Sequence, residues 1–208
     1  MAARVPQTRN LVYRFDEADA SLTDLLGGKG SKLCDMVQLG LPVPPGFVIS
    51  TETCRDYFSR DYRLPDGLTD SIRENIRILE NAFGRRFGSP ENPLLVSVRS
   101  GAKISMPGMM DTILNLGIND EIAEGLANLM VDPRPAYDAY RRFLQLHANI
   151  VLGMDGTTFE EIFSNHKTRT GVTQDHQMTP PALRAVIVDF KEAIRKATGT
   201  EVPADPWE

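Results

Sequence analysis

Cysteine is scarce in this 208-residue sequence, which contains only Cys34 and Cys54. The two form neither a CxxC pair nor the closely spaced ligand pairs that hold zinc. The sequence therefore predicts reduced thiols rather than a disulfide or a metal site. Cys34 fits best as a small hydrophobic residue packed on a helix, and a reactive thiol is the alternative.

Long hydrophobic runs and an excess of positive charge are absent as well. No stretch approaches the roughly 18 apolar residues that a membrane span needs, and the first ten residues, MAARVPQTRN, lack the apolar segment of a secretory signal. The 23 basic and 28 acidic side chains give a formal net charge of −5, which argues against a surface that coats nucleic acid or binds an anionic membrane. We therefore expect a cytoplasmic protein without nucleic-acid or membrane partners, in which a local cationic pocket can still exist.

Histidine is the third scarce residue, with three copies. His147 lies among apolar residues of a predicted helix and is expected to be packed, whereas His166 and His176 flank a polar loop and are expected to be exposed. The three form no pair with metal-ligand spacing and no Ser/His/Asp or Cys/His grouping. Neither a metal site nor nucleophilic catalysis by such a group is predicted.

The composition is otherwise that of a globular protein, with 41% hydrophobic and 25% charged residues, and the length suits one domain with an appended lobe. Strand-like and helical segments alternate in the first part of the chain. The strand-like segments are 11–15, 47–50, 94–100 and 113–116, of which 94–100 is expected to be mostly buried, and apolar residues at helical spacing predict a long amphipathic helix over 68–87. The later part contains the predicted helices 119–131, 134–152, 157–168 and 179–198. The predicted fold class is α/β (α+β), with a mixed lobe over residues 1–118 and a helical subdomain over 119–208.

Residues at the ends of segments predict where two of the helices begin. Thr51 is a candidate cap for a helix that runs to about Arg60, and Thr179 precedes Pro180 at the first position of the last helix.

Trp207 has no following segment to pack against, so we expect exposed apolar surface there.

The glycine-rich segment 26–30, LGGKG, joins a loop to the start of a helix. Glycines let a backbone approach an anionic ligand, the N–H groups at a helix N-terminus point at it, and Lys29 adds a positive charge. The alternative interpretation is a glycine turn beside a solvated lysine.

A second cationic segment, VRSGAK at 98–103, places Arg99 at the end of a predicted strand and a glycine turn after it. Arg99 offers a fork of donors matched to phosphate oxygens, and Lys103 offers a point charge. A purely structural pairing of Arg99 with a carboxylate is the alternative. The segment that follows, ISMPGMMDT at 104–112, reads as a flexible apolar loop that could close over a nucleotide and exclude water.

These segments resemble the N-terminal part of the pyruvate, phosphate dikinase family. The matching stretches are LLGGKG at 25–30, GLPVPPGF at 40–47, VRSGAKISMPGMMDTILNLG at 98–117, YRRF at 140–143 and VLGM at 151–154. The resemblance extends essentially from residue 10 to residue 208. The run SMPGMMDT separates this family from the related phosphoenolpyruvate synthases, which share only the VRS core.

The resemblance implies the first lobe of an ATP-grasp nucleotide-binding domain, with ATP and phosphate as ligands. Arg99 would be the catalytic residue. The residues that would bind ATP are Lys29, Arg99, Gly101, Lys103, Ser105, Gly108, Asp111 and Thr112. The loop from Gly101 to Thr112 would cover the phosphates during transfer, in keeping with the positioning and charge neutralisation that phosphoryl transfer requires.

In the family, ATP and phosphate serve to phosphorylate a histidine on a swivelling carrier domain, and a barrel domain passes the phosphoryl group to pyruvate. The full-length enzymes are homo-oligomers and use Mg²⁺. This sequence contains no counterpart of the second ATP-grasp lobe with its magnesium ligands, of the carrier histidine or of the barrel. We therefore expect an ATP-binding segment that is catalytically incomplete alone. The alternatives are a non-catalytic module that binds a partner polypeptide and one part of a split enzyme completed in trans by a downstream polypeptide.

Overall fold

The computed structural model describes residues 10–100 and 111–208, and within them it contains seven α-helices and four short strands. The strands are β1 (Val12–Arg14), β2 (Phe47–Ile49), β3 (Val96–Arg99) and β4 (Thr112–Leu116). The helices are α1 (Thr23–Gln38), α2 (Thr51–Ser59), α3 (Leu68–Phe83), α4 (Asp120–Leu129), α5 (Arg134–Ile150), α6 (Gly156–Thr170) and α7 (Pro180–Thr198), with a 3-10 turn at Asp175–Gln177. The strands form two separate two-stranded antiparallel sheets. The predicted α+β class is confirmed.

The chain folds into two compact units. Among the described residues, the first unit holds 10–84 with Ser100, and the second holds 85–99 and 111–208. The β3–β4 hairpin therefore belongs to the same unit as helices α4 to α7. The predicted domains 1–118 and 119–208, which were drawn where strand-like segments give way to helical ones, stay a prediction.

The first unit is built around the β1–β2 pair and helix α1. Tyr13 lies opposite Val48 in the pair, and both pack against a small core that contains Leu26 and Cys34 of α1. Cys34 is fully buried, as predicted, and burial raises the pKa of its thiol. Both cysteines are free thiols, with Cys54 exposed on α2.

Two helix ends in this unit differ from the sequence-based prediction. The cap of α2 is Ser50 and not Thr51, since Ser50 has the extended backbone of a cap and its hydroxyl accepts a hydrogen bond from the amide of Thr53 at 3.1 Å. Helix α3 ends at Phe83 and not at residue 87, because Gly84 adopts the left-handed conformation (φ 62°) that closes a helix.

The second unit has a helical core to which α4, α5, α6 and α7 all contribute. The last helix follows its prediction closely: Thr179 caps it, Pro180 is its first residue, and its apolar face is buried. The buried residues of that face are Leu183, Val186, Ile187, Phe190 and Ile194. The other three helices begin and end within three residues of the predicted bounds.

Two predictions of exposure or burial in this unit are wrong, and a third is confirmed. His166 is buried, because its Nε2 lies 2.7 Å from Oδ2 of Asp189 on the neighbouring helix α7. The strand predicted to be mostly buried is the shorter β3, in which Val98 is 46% exposed. Trp207 is exposed as predicted, with 40% of its surface accessible, and its ring also packs edge-on against Phe87, with centroids 4.7 Å apart.

Within the described ranges, no helix combines the length and the apolar character that crossing a membrane requires.

Candidate functional site

The glycine-rich segment lies inside helix α1 and breaks it. Gly27 has φ 70° and ψ 161°, a backbone conformation that is essentially restricted to glycine. One helical turn therefore precedes Gly27, and a new helical segment starts at Gly28 with Lys29 in its first turn. The N–H groups of such a first turn favour an anion. The predicted loop-to-helix junction is thus a helix interrupted at a single glycine.

Packing holds this first turn against strand β2. A Cβ at Gly30 would lie 2.8 Å from Cγ2 of Val48, so only glycine lets the helix approach the strand this closely. The hydroxyl of the neighbouring Ser31 donates to the carbonyl of Ala20 at 2.6 Å. Gly30 therefore has a packing role, which sequence reasoning missed, beside the half-buried Lys29.

The described part of the second cationic segment lies at the end of the β3–β4 hairpin where β3 finishes and β4 begins. Arg99, the last residue of β3, pairs with Thr112, the first residue of β4. Directly opposite residues of an antiparallel pair place their side chains on the same face. The exposed Arg99 and the half-buried Thr112 are therefore neighbours, and the exposed Asp111 precedes Thr112.

The described residues thus include four of the eight predicted ATP-binding residues. Arg99, Asp111 and Thr112 lie together at the hairpin end, and Lys29 belongs to the first unit. The other four, Gly101, Lys103, Ser105 and Gly108, lie outside the described residues, as does the central part of the methionine-rich loop.

The hairpin contains an irregularity that sequence reasoning also missed. Val96 lies opposite Leu116, but Val98 lies opposite Ile113, so β4 has one residue more than β3 between these pairs. Asn115, within the extra stretch, has the left-handed φ of 60°. This arrangement is a β-bulge, a feature that is common next to active sites because it redirects side chains.

The donors in the first turn after Gly27 and at the end of the β3–β4 hairpin are of kinds that bind phosphate. A guanidinium group can donate two parallel hydrogen bonds to phosphate oxygens, a threonine hydroxyl can donate a third, and an ammonium group supplies a point charge. The magnesium donor set is not assembled: no group of three or more His, Cys, Asp or Glu side chains in the described parts of the chain could hold a metal ion.

The described histidines have structural surroundings. His147 packs beside the ring of Phe143, with centroids 5.7 Å apart, and burial lowers the pKa of its imidazole. His166 bonds Asp189 between two helices, and His176 is exposed on the 3-10 turn. None of them lies in the same segment as Arg99 or Lys29.

The YRRF segment of α5 forms a buried ion pair. The guanidinium of Arg141 donates through Nε and Nη2 to Oδ1 of Asp138 at 3.0 and 2.8 Å, and both side chains are almost fully buried. Arg142 contacts the other carboxylate oxygen of Asp138 at 3.2 Å, and the Arg141 guanidinium stacks on Phe163 at 4.3 Å from the ring centroid. This segment therefore stabilises the helical core.

Comparison with known proteins agrees with the phosphate-binding donors. A family model described as "Pyruvate phosphate dikinase, AMP/ATP-binding domain" matches residues 23–63 and 60–196. The chain is 43% identical over 196 residues to a pyruvate, phosphate dikinase of Entamoeba histolytica and 46% identical over 199 residues to one of Rhizobium meliloti. It is 44% identical over 210 residues to the chloroplastic pyruvate, phosphate dikinase 1 of Oryza sativa subsp. japonica. These alignments cover 94%, 94% and 99% of the chain but only 22% of each relative.

Proposed function

The chain belongs to the pyruvate, phosphate dikinase family, within its AMP/ATP-binding domain, and from this premise we propose that it binds ATP as the N-terminal segment of such an enzyme. The reaction would be the conversion of ATP, phosphate and pyruvate to AMP, pyrophosphate and phosphoenolpyruvate through a phosphohistidine. The chain spans about a fifth of the length of these relatives, and the carrier histidine and the pyruvate site would lie in parts of the enzyme outside it.

The observation that carries the proposal is the pairing of Arg99 with Thr112 at the end of the hairpin. This pairing places a bidentate cationic donor beside a hydroxyl at the end of a two-stranded sheet. A hydrogen bond to a charged group contributes about 1.5–3 kcal/mol. Loss of the Arg99 contacts would therefore weaken binding of a polyphosphate by about tenfold to a hundredfold.

The chemistry of these residues would be positioning and charge neutralisation. Phosphoryl transfer requires little covalent chemistry from the protein, but it requires donors fixed where negative charge develops. Arg99 would hold phosphate oxygens on which negative charge develops, and the family resemblance assigns Lys29 a contact with ATP phosphates as well. Asp111 and Thr112 would complete the donors and acceptors at the hairpin end.

The finer structural assignments belong to the same proposal. We infer that the mixed lobe 1–118 corresponds to the first lobe of an ATP-grasp domain, and the glycine break before Lys29 supports an anion-binding role for that part of it. The predicted binding residues Gly101, Lys103, Ser105 and Gly108 remain part of the proposal. Mg²⁺, which the family uses with ATP, would take its ligands from outside the described residues.

The test is titration of the ¹⁵N-labelled chain with ATP, followed by amide chemical shifts. We expect signals of β3, β4 and the first turn after Gly27 to shift, and Arg99→Leu to raise the dissociation constant at least about tenfold. Arg195→Leu is the matched control, because Arg195 is an exposed arginine of the second unit that pairs with Glu192. Equal affinity in the Arg99 variant and the control variant would contradict the assignment of Arg99.

The second candidate function is a module that binds a partner polypeptide or completes a split enzyme in trans. Three consecutive large apolar residues at the end of α4 favour it: Leu129, Met130 and Val131 are all exposed. Its test is the pyruvate-dependent conversion of ATP and phosphate to AMP and pyrophosphate, measured with the chain alone and with a downstream polypeptide added. Activity only in the mixture would support this function, and loss of that activity in Arg99→Leu would link both candidates to one site.

A further inference from the structure

The β-bulge of strand β4 lets two apolar side chains, three residues apart, face the same core. Ile113 and Leu116 both pack against the helical core of the second unit. Side chains three residues apart on a regular strand point to opposite faces. The extra residue between the two pairings, at Leu114 and Asn115, brings both anchors to the core face.

The same extra residue determines which side chain lies opposite Arg99. With the pairing of Leu116 and Val96 kept and the bulge removed, Arg99 would lie opposite Ile113, and Thr112 would turn to the core face. A slip of one residue exchanges the two faces of a strand completely. The bulge therefore decides that Arg99 has a hydroxyl neighbour and not an aliphatic one.

Asn115 is the residue whose backbone makes the bulge possible. Its φ of 60° lies in the left-handed region, where Asn is several-fold enriched and β-branched residues are outliers. The carbonyl of Asn115 also accepts a hydrogen bond from the amide of Ile118 at 3.2 Å, which closes the turn that leads into helix α4.

We propose that Asn115 is a positioning residue for nucleotide binding, which acts by holding Arg99 opposite Thr112 at the end of the hairpin. The inference rests on the proposed function, because it assumes that Arg99 and Thr112 meet the phosphates of ATP. Asn115 itself lies three residues from Thr112 along the strand and acts through the strand register, not by contact with the ligand.

The experiment compares Asn115→Val with Asn115→Gly. Valine disfavours the left-handed conformation and glycine accepts it freely. We expect Asn115→Val to raise the dissociation constant for ATP about tenfold and to abolish the cross-strand backbone NOEs between Arg99 and Thr112. Asn115→Gly should keep both the affinity and the NOEs. If the valine variant does not fold, Asn115→Ala, which also disfavours the conformation, replaces it in the same comparison.

A double-mutant cycle separates positioning from a merely structural role. In the Thr112→Val background, Asn115→Val should leave the remaining ATP affinity unchanged, because the hydroxyl whose position depends on the bulge is already gone. An Asn115→Val variant that folds and binds ATP like the unmodified chain would overturn the inference, and so would an equal loss of affinity in both backgrounds. Failure of the unmodified chain to bind ATP would instead overturn the proposed function, and this inference with it.

Discussion

Replacing Asp138 by alanine should destabilise the second unit severely. The carboxylate of Asp138 accepts two hydrogen bonds from Arg141 at 3.0 and 2.8 Å, and the side chain of Arg141 is only 6% exposed. In the variant this guanidinium would remain buried without the carboxylate that it bonds directly, although the charge of Asp175 remains within electrostatic reach. Removal of one partner of a buried ion pair costs about 3–5 kcal/mol, out of a total stability that is typically about 5–15 kcal/mol.

The surroundings of Arg141 place the expected loss at the lower end of that range. In the variant, its Nη1 would still donate a hydrogen bond to Oε1 of Gln145 at 3.3 Å, and its guanidinium would still stack on the Phe163 ring. A cation–π contact of this kind retains about 0.5–2 kcal/mol. We therefore expect Asp138→Ala to lower the free energy of unfolding by about 3 kcal/mol.

The assay is urea unfolding followed by the fluorescence of Trp207, which is the only tryptophan and packs against Phe87 in the same unit. The double variant Asp138→Ala with Arg141→Met should recover part of the lost stability, because it removes the most buried unpaired charge; Arg134, 19% exposed and 4.0 Å from Asp138, still loses its carboxylate. Glu192→Ala is the control, since its ion pair with Arg195 is exposed, and it should leave the unfolding midpoint unchanged. A loss below about 1 kcal/mol in the single variant, or no recovery in the double variant, would refute the reasoning.

Two further substitutions probe packing and protonation. Gly30→Ala should destabilise the first unit by about 1–3 kcal/mol, because the new Cβ would lie 2.8 Å from Cγ2 of Val48. Adding Val48→Ala to the same chain should recover part of this loss. Hydrogen exchange of the β2 amides measures the stability of both variants. Burial lowers the pKa of His147, so the imidazole binds a proton at a higher pH in the unfolded chain, near pH 6.5, than in the folded chain. The free energy of unfolding therefore falls as the pH drops from about 6.5 through the pKa of the folded state. His147→Gln should flatten this part of the curve of unfolding midpoint against pH; an unchanged curve would count against a buried neutral imidazole.

Local signals account for what the sequence predicted correctly. The start of α7 follows from Thr179 and Pro180, whose effects on the backbone do not depend on the rest of the fold. The end of α3 has an equally local signal in Gly84, but the apolar spacing continues to Phe87 and hides it. Phe87 lies three residues beyond that glycine and belongs to the other unit.

The wrong predictions concern residues whose burial depends on elements that are distant in the sequence. His166 was expected to be exposed because a polar loop follows it, and it is buried because Asp189 on α7 supplies its partner. Val98 has the side chain of a buried strand, but it lies in a two-stranded hairpin beside the terminal Arg99–Thr112 pair and is 46% exposed. The sequence holds one overlooked sign of the bulge: the apolar anchors Ile113 and Leu116 are three residues apart, which a regular strand does not permit on one face.

Family resemblance alone does not separate residues that bind from residues that support. Gly30, Arg99 and Arg141 all lie in segments that match the family, yet Gly30 packs on a strand and Arg141 neutralises a buried carboxylate. Arg99 differs from both, because it is exposed at the end of the β3–β4 hairpin. An exposed arginine beside a hydroxyl can form hydrogen bonds with a phosphate, whereas an arginine that is bonded to a buried carboxylate would first have to break that ion pair. This difference, rather than the match itself, selects Arg99 as the residue whose loss should affect ATP and leave folding intact.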